Sequence, residues 1–544
     1  MTCFRFLGLL TTAVVLLATG DASAVSRTWT GGAGDNVWTT PGNWDPAGFA
    51  TSDDLAVSTT VALAAGSASV QVAGDGSLTI TPAGVLNVTG TGDLRLQGNA
   101  ILNIEGTLQR TSGSNWFRFG DNGNLNATIN HTGTFSSTSP PMIAFNQLAD
   151  SGQATYNITA GTLSTTSYMV LGWSYATNSG NMLGTVNQSG DSVVNVGSYV
   201  ALGQSNSANT VGGTGTGYYN ISGGVLNASS VRVGYWATGV NSDGAGTGVF
   251  TQTGGTVGAT TRPDVFVAYG DLSTGTYVMR GGTLNARDLT DNGVGAASVL
   301  KIQGGAGTID VSRDFSFTGD NATLAVEVGS TGLTAIQVSG TGTANVGTST
   351  DLTAGVYGGA ALSASDTFTV LQLASGSIDG SLVDQSGPLW TLSQDSDRVD
   401  LTLAPGAGKG TIAVPSALTG LDDSFGWISI PAGDFDFDVF LLELELAGTG
   451  SVTDLAHWMT EAGLNATADS VANTITLADL PVPSGGPSYF FWDLRDYNSS
   501  FGTTFAVSAV SAIPEPSALV LGLIALLCLG AAPRRRRKNT VVTG

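Results

Sequence analysis

One nine-residue phrase recurs along the middle of the chain and limits what the chain can fold into. It reads T-Y-N-I-T-A-G-T-L at 155–163, Y-Y-N-I-S-G-G-V-L at 218–226, V-F-T-Q-T-G-G-T-V at 249–257 and T-Y-V-M-R-G-G-T-L at 276–284. Weaker copies stand at 102–108, 127–135 and 185–193. The equivalent glycines are Gly106, Gly133, Gly161, Gly190, Gly224, Gly255 and Gly282, spaced by 27, 28, 29, 34, 31 and 27 residues. A near-constant period in this range marks a repeat architecture, in which each unit buries its apolar face only by stacking on its neighbours.

Each copy has the period of a strand. In Tyr156-Asn157-Ile158-Thr159 the apolar side chains point one way and the polar ones the other. A glycine step follows, where a corner needs positive φ. A second short strand comes next (Thr162-Leu163, Val225-Leu226, Thr283-Leu284). About ten residues later comes a third, such as 168–172, 231–234 or 265–268. Three short strands per turn with glycine corners predict an all-β fold, a parallel β-helix. The longer periods put their extra residues in Gly/Ser/Asn/Thr-rich segments, 205–217 and 239–247, which read as loops. An array of β-sandwiches also gives short strands and frequent turns, but it does not need the same glycine corner in every unit.

Charge and composition narrow the function. The formal net charge is −22, with 19 bases and 41 acids. Six of the bases (Arg5, Arg534 to Arg537, Lys538) and one acid (Asp21) sit in the terminal segments. The remainder has 13 bases and 40 acids, a net charge of −27. Such a surface repels nucleic acid, so no nucleic-acid partner is expected. The only cysteines are Cys3 and Cys528, in those same segments, so the body has no disulfide and no thiol metal site. With two histidines in the chain, His131 and His457, no cofactor, metal centre or Ser-His-Asp triad is expected. His131 reads as an outward-facing polar residue of a repeat strand, and His457 as part of a short surface helix.

Residues 1–24 have the form of a secretory signal peptide. Arg5 leads an apolar run, and Ala22-Ser23-Ala24 gives an A-x-A cleavage site at Ala22 and Ala24. Signal peptidase is therefore an expected partner. Trp29, Trp38 and Trp44 follow among Gly, Asn and Asp, and read either as a cap over the open end of the coil or as a sugar-stacking platform. This W-x-G…W…N-W-x-x-G…D-D segment resembles the opening of extracellular β-helix proteins related to autotransporter passengers. Residues 320–404 resemble their closing portion. The resemblance covers roughly 27–404 and implies a right-handed parallel β-helix; the β-helix domain is read as 25–404, with the tryptophan-rich segment as its N-terminal cap. No membrane barrel follows, so self-export is not implied.

Ala404 to Gly408 looks like a linker. Residues 405–512 read as a small β-rich, sandwich-like domain with strands at 434–440 and 488–497. Asp434, Asp436 and Asp438 share one strand face, which suits either calcium or a solvated edge that resists aggregation. Pro514-Glu515-Pro516 then precedes an apolar run and the basic cluster Arg534, Arg535, Arg536, Arg537 and Lys538. This is the form of a short transmembrane helix with a positive stop. The segment 513–538, followed by a tail at 539–544, resembles the PEP-CTERM sorting signal of Gram-negative bacteria that make exopolysaccharide. The resemblance implies that an exosortase reads Pro514, Glu515 and Pro516 and moves the protein from the inner membrane to the cell surface or extracellular matrix.

The function expected is therefore that of an exported, non-catalytic surface or matrix protein, structural or adhesive in association with exopolysaccharide. Two other classes compete with it. A sugar-binding adhesin would use Trp173, Tyr175, Tyr235, Trp236 and Tyr269. A polysaccharide-active enzyme would need a base beside carboxylates, for which Arg232 and Arg262 with Asp264 are the candidates.

Overall fold

The computed structural model describes residues 24–403, except 64–68, 90–91, 113–114, 122, 147–150, 175–179, 207–213, 238–245, 271–272, 293–296, 358–365 and 387–389, together with six strands between 425 and 513. From the N-terminal strand Ser26–Trp29 to about Leu373 the chain is one three-sided parallel β-solenoid. The first face is a 15-stranded sheet, in which strands such as Ile101–Ile104, Gly152–Ile158, Gly215–Ile221 and Thr274–Met279 belong to successive rungs. The second and third faces form one continuous 24-stranded sheet, because strands such as Val193–Asn206 and Val225–Ala237 run through the corner between them. Val193–Asn206, Gly215–Ile221 and Gly246–Gln252 carry regular structure into the edges of the two segments expected to be loops.

The stacking follows from the alternation. In Gly152–Ile158 the even positions are buried and the odd ones face out, and the next rung repeats this in register, Tyr156 beside Val186 and Ile158 beside Gln188. One continuous apolar core runs the length of the coil. On the outside of the first face, Asn103, Asn130, Asn157, Asn187 and Asn220 form a ladder, each amide donating to the preceding carbonyl oxygen at 3.0–3.2 Å.

The repeated glycine serves two steric needs. Gly161, Gly224, Gly255 and Gly282 have φ between 66° and 79°, a region that β-carbons disfavour. Gly106 and Gly133 need no positive φ, but a Cβ on either would lie 2.1 Å from a carbonyl oxygen of the preceding rung.

Both ends are closed. Trp29, Trp38 and Trp44 are 4%, 0% and 2% exposed and pack ring to ring, which is the cap and not a sugar platform. At the far end Thr367–Leu373, Arg398–Leu403 and Trp390–Gln394 turn antiparallel. Beyond the solenoid, Phe425–Ile430 pairs with Ser488–Asp493, and Asn465–Asp469, Thr474–Ala478, Val439–Leu446 and Phe505–Ile513 form a four-stranded antiparallel sheet. Ala22, His457, the aspartates at 434, 436 and 438, the Pro514-Glu515-Pro516 motif, the apolar run and Arg534 to Lys538 lie outside the described residues. No helix among the described residues is long and apolar enough to cross a membrane.

Candidate functional site

His131 corrects the sequence reading: it is 1% exposed and faces inward. Its Nε2 lies 3.1 Å from the carbonyl oxygen of Gly133, which can only accept, so Nε2 carries the proton. Nδ1 then accepts from the Tyr156 hydroxyl at 3.1 Å. Burial pushes the imidazole pKa down to about 4, so the ring is neutral at neutral pH. Two glutamines do the same work higher in the coil. Gln188 accepts from Tyr219 at 2.6 Å and Gln252 from Tyr277 at 2.7 Å, while their amides donate to backbone carbonyls. Burial raises the pKa of all three phenols. These groups are saturated and sealed from water, so they hold the core and offer no chemistry.

The postulated basic cluster does not form. Arg262 pairs with Asp310 at 2.7 Å, and Asp264 pairs with Arg287. Arg232 lies instead over three tyrosine rings. Side-chain geometry therefore separates what the sequence placed close together. A buried charge cluster stands elsewhere: Asp93 and Asp121, 4% and 3% exposed, sit between Arg95 and Arg118. Asp93 also accepts from the backbone N–H of Trp116 at 3.1 Å, so its carboxylate is closed off by the protein itself. No cluster of three metal-binding side chains occurs among the described residues.

One surface feature with the shape of a binding site is a groove of about 380 Å³ along the corner between the second and third faces. Five successive rungs line it, through Ser136, Ser164-Thr165-Thr166, Asn195, Asn227 to Ser229, and Thr260-Thr261. Ser136, Ser164, Asn195 and Asn227 form one column in register. Asn227 donates to Asn195 at 2.9 Å and Asn195 to Ser164 at 3.4 Å, which fixes the amides. None of the lining residues is charged. Hydroxyls and amides at rung spacing, beside the small apolar surfaces of Val196 and Ala228, suit a polyhydroxylated chain, which pairs its hydroxyls with the polar groups and its C–H faces with the apolar ones. Nothing in the repeat phrase announced this groove, because its residues fall in the corner just beyond that phrase.

Next to the groove, the third face carries an aromatic strip. Ala144, Gly172, Gly203, Gly234 and Ala268 occupy one register column, and all have φ between 56° and 70°. The left-handed residue breaks the alternation, so Phe145 and Trp173 join Met142, Val170 and Ala201 in a second apolar cluster outside the main core. Tyr168, Tyr199 and Tyr235 pack on that cluster. Tyr168 stacks on Tyr199 at 5.0 Å and 4°, and Tyr235 lies 5.2 Å from Tyr269. Trp173 is 7% exposed and the tyrosine rings face one another or Arg232, so the strip presents ring edges more than open faces. Tyr175 and the Trp236 side chain lie outside the described residues. No protein-family model matches the chain, and neither the curated proteins nor the solved structures contain a detectable match.

Proposed function

We propose that this chain is an exported, non-catalytic protein of the bacterial surface or extracellular matrix, which holds polysaccharide along the serine, threonine and asparagine groove. The observation that carries the reading is the groove itself: five rungs of uncharged hydroxyl and amide groups, pre-positioned by rung-to-rung hydrogen bonds. The rest of the surface agrees with it. Among the described residues the exposed large hydrophobic side chains are Val25, Ile101 and Tyr218, too scattered for an apolar docking face. The saturated buried polar groups and self-paired carboxylates weigh against catalysis.

Targeting completes the proposal and rests on sequence. Signal peptidase removes the segment ending at Ala24, and an exosortase-type enzyme acts at Pro514-Glu515-Pro516, with Arg534 to Lys538 as the basic stop of a transient membrane helix. We read the coil as right-handed, the hand that parallel crossovers adopt, and residues 405–512 as a small sandwich.

The test is a glycan array probed with the surface-extracted protein. Polysaccharide binding that falls severalfold in Asn195→Ala and Ser229→Ala, with melting temperature unchanged, supports the reading. A protein that retains no glycan at all sinks it.

A further inference from the structure

We infer that Arg232 reads a carboxylate on the saccharide held in the groove, so that the ligand is an acidic polymer and not a neutral one. The inference rests on the groove being a glycan site.

Arginines in this chain are otherwise committed. Of the ten described, seven are ion-paired with aspartates. Arg110 donates to the carbonyl oxygens of Asn115 and Gly92, and Arg280 to Oε1 of Gln303 at 2.5 Å. Arg232 has no carboxylate partner among the described residues, although acids outnumber bases more than twofold in the sequence. Its Nε is buried without a hydrogen-bond acceptor.

What holds Arg232 is aromatic. Its guanidinium carbon lies 4.2, 4.9 and 4.6 Å from the ring centres of Tyr199, Tyr235 and Tyr269. These rings come from three successive rungs, so the cation is set into the tyrosine strip. Stacking uses the faces of the guanidinium plane; Tyr235 is also hydrogen-bonded to it and the Nε side is buried, so the terminal N–H groups are the part left for an oxyanion. A fork held rigid in this way binds a carboxylate with little loss of side-chain entropy.

Placement supplies the link to the groove. Ser229 lines the groove and Arg232 stands three residues further along the same strand, while Gly197 lines it and Tyr199 follows two residues later. Three residues of strand span about 10 Å, so a saccharide chain that runs on from Ser229 and Gly197 along the third face comes to the Arg232 side chain with its next sugar.

The experiment is calorimetric titration of the full-length protein with a polyuronate, a sulfated glucan and a neutral glucan of matched length, for wild type, Arg232→Gln and Arg232→Lys. The expected result is a preference for the polyuronate over the neutral glucan of about tenfold or more, the worth of one charge-assisted contact. Arg232→Gln removes that preference and leaves neutral-glucan binding intact. Arg232→Lys keeps the charge but lacks the fork, and loses most of the preference. If Arg232→Gln fails to fold, Arg232→Lys decides the matter alone. Unchanged polyuronate affinity in the folded variants, or a wild type without the preference, overturns the inference. Tighter binding of the sulfated glucan overturns its carboxylate assignment. Loss of neutral-glucan binding in Ser229→Ala with no effect of Arg232→Gln leaves the groove reading standing and removes this one. Wild type that binds none of the three polymers removes both.

Discussion

The Tyr219 hydroxyl donates to Oε1 of Gln188 at 2.6 Å, and the two residues belong to adjacent rungs. The same bond joins Tyr277 to Gln252 and Tyr156 to His131, always from a rung to the polar corner of the rung before it. Where the inward ring has no hydroxyl, at Phe250, the preceding corner is apolar, Ile221. Each buried phenol thus has its own acceptor, and no acceptor is placed where there is no phenol.

The Phe250–Ile221 pair makes this rule testable. Phe250→Tyr would aim a hydroxyl at Ile221 with no partner, and should cost about 1–3 kcal/mol. Ile221→Gln alone should also destabilise, by burying an unpaired amide. The double variant should recover part of both losses, as the native tyrosine–glutamine rungs do. Additive losses in a denaturant double-mutant cycle would contradict the rule.

His131 gives the coil an acid-sensitive rung. Its folded pKa, about 4, lies below the ordinary value of 6.5, so the unfolded chain binds the proton more readily. Stability contributed by the neutral ring is complete above pH 6.5 and is lost progressively as the pH falls toward 4, by up to about 3 kcal/mol. His131→Gln copies Gln188 and Gln252, keeping both hydrogen bonds without a titrating group. Melting temperatures across this pH window should show a shallower acid loss in His131→Gln than in wild type. Parallel curves would mean that His131 is not the group responsible.

Glycine substitutions should rank by what a β-carbon meets. Gly34 has φ 73° and open space around it, so Gly34→Ala should cost only the backbone strain, about 1–2 kcal/mol. Gly224 has φ 76°, and its Cβ would lie 2.3 Å from the Ser192 carbonyl oxygen, so Gly224→Ala should cost distinctly more. Thermal denaturation of the two variants gives the order, and equal losses would mean that the rung shifts freely to make room.

The tail is tested by processing. Changing Pro514, Glu515 and Pro516 to Ala leaves the apolar run and Arg534 to Lys538 unchanged, so membrane insertion should persist. Surface delivery should be lost, and the uncleaved protein should collect in the inner membrane. Mass spectrometry of wild-type surface protein should find no peptide containing Arg534 to Lys538. Intact tail through Gly544 on the surface would leave only a plain anchor.

The solenoid was legible because two signals agreed, period-two alternation within each phrase and a glycine at each corner. The same alternation places His131 inward with Ala127 and Ile129, yet polarity argued the other way. Its partner Tyr156, one phrase later, was the signal that would have decided for burial. The aromatic strip was harder to read. Its left-handed residue is Ala144 or Ala268 in two rungs and glycine in three, so the chain looks like uninterrupted strand while its side chains change face. Arg232 and Asp264 stand on adjacent rungs, two register positions apart, but Asp264 pairs with Arg287 of the next rung and Arg232 lies over the tyrosine rings, choices that the register fixes and the sequence does not show.

The first face ends in strands of only two residues. Trp44–Asp45 runs antiparallel to Ser26–Trp29 and is followed at once by Pro46, and Val383–Asp384 closes the opposite edge. A long unpaired edge on a parallel coil is a template on which the next copy can seed, and growth from such edges produces fibres. These short terminal strands, one of them beside a proline that cannot donate a hydrogen bond, act as chain terminators. Edges this short work against end-to-end growth into filaments when many copies are crowded together.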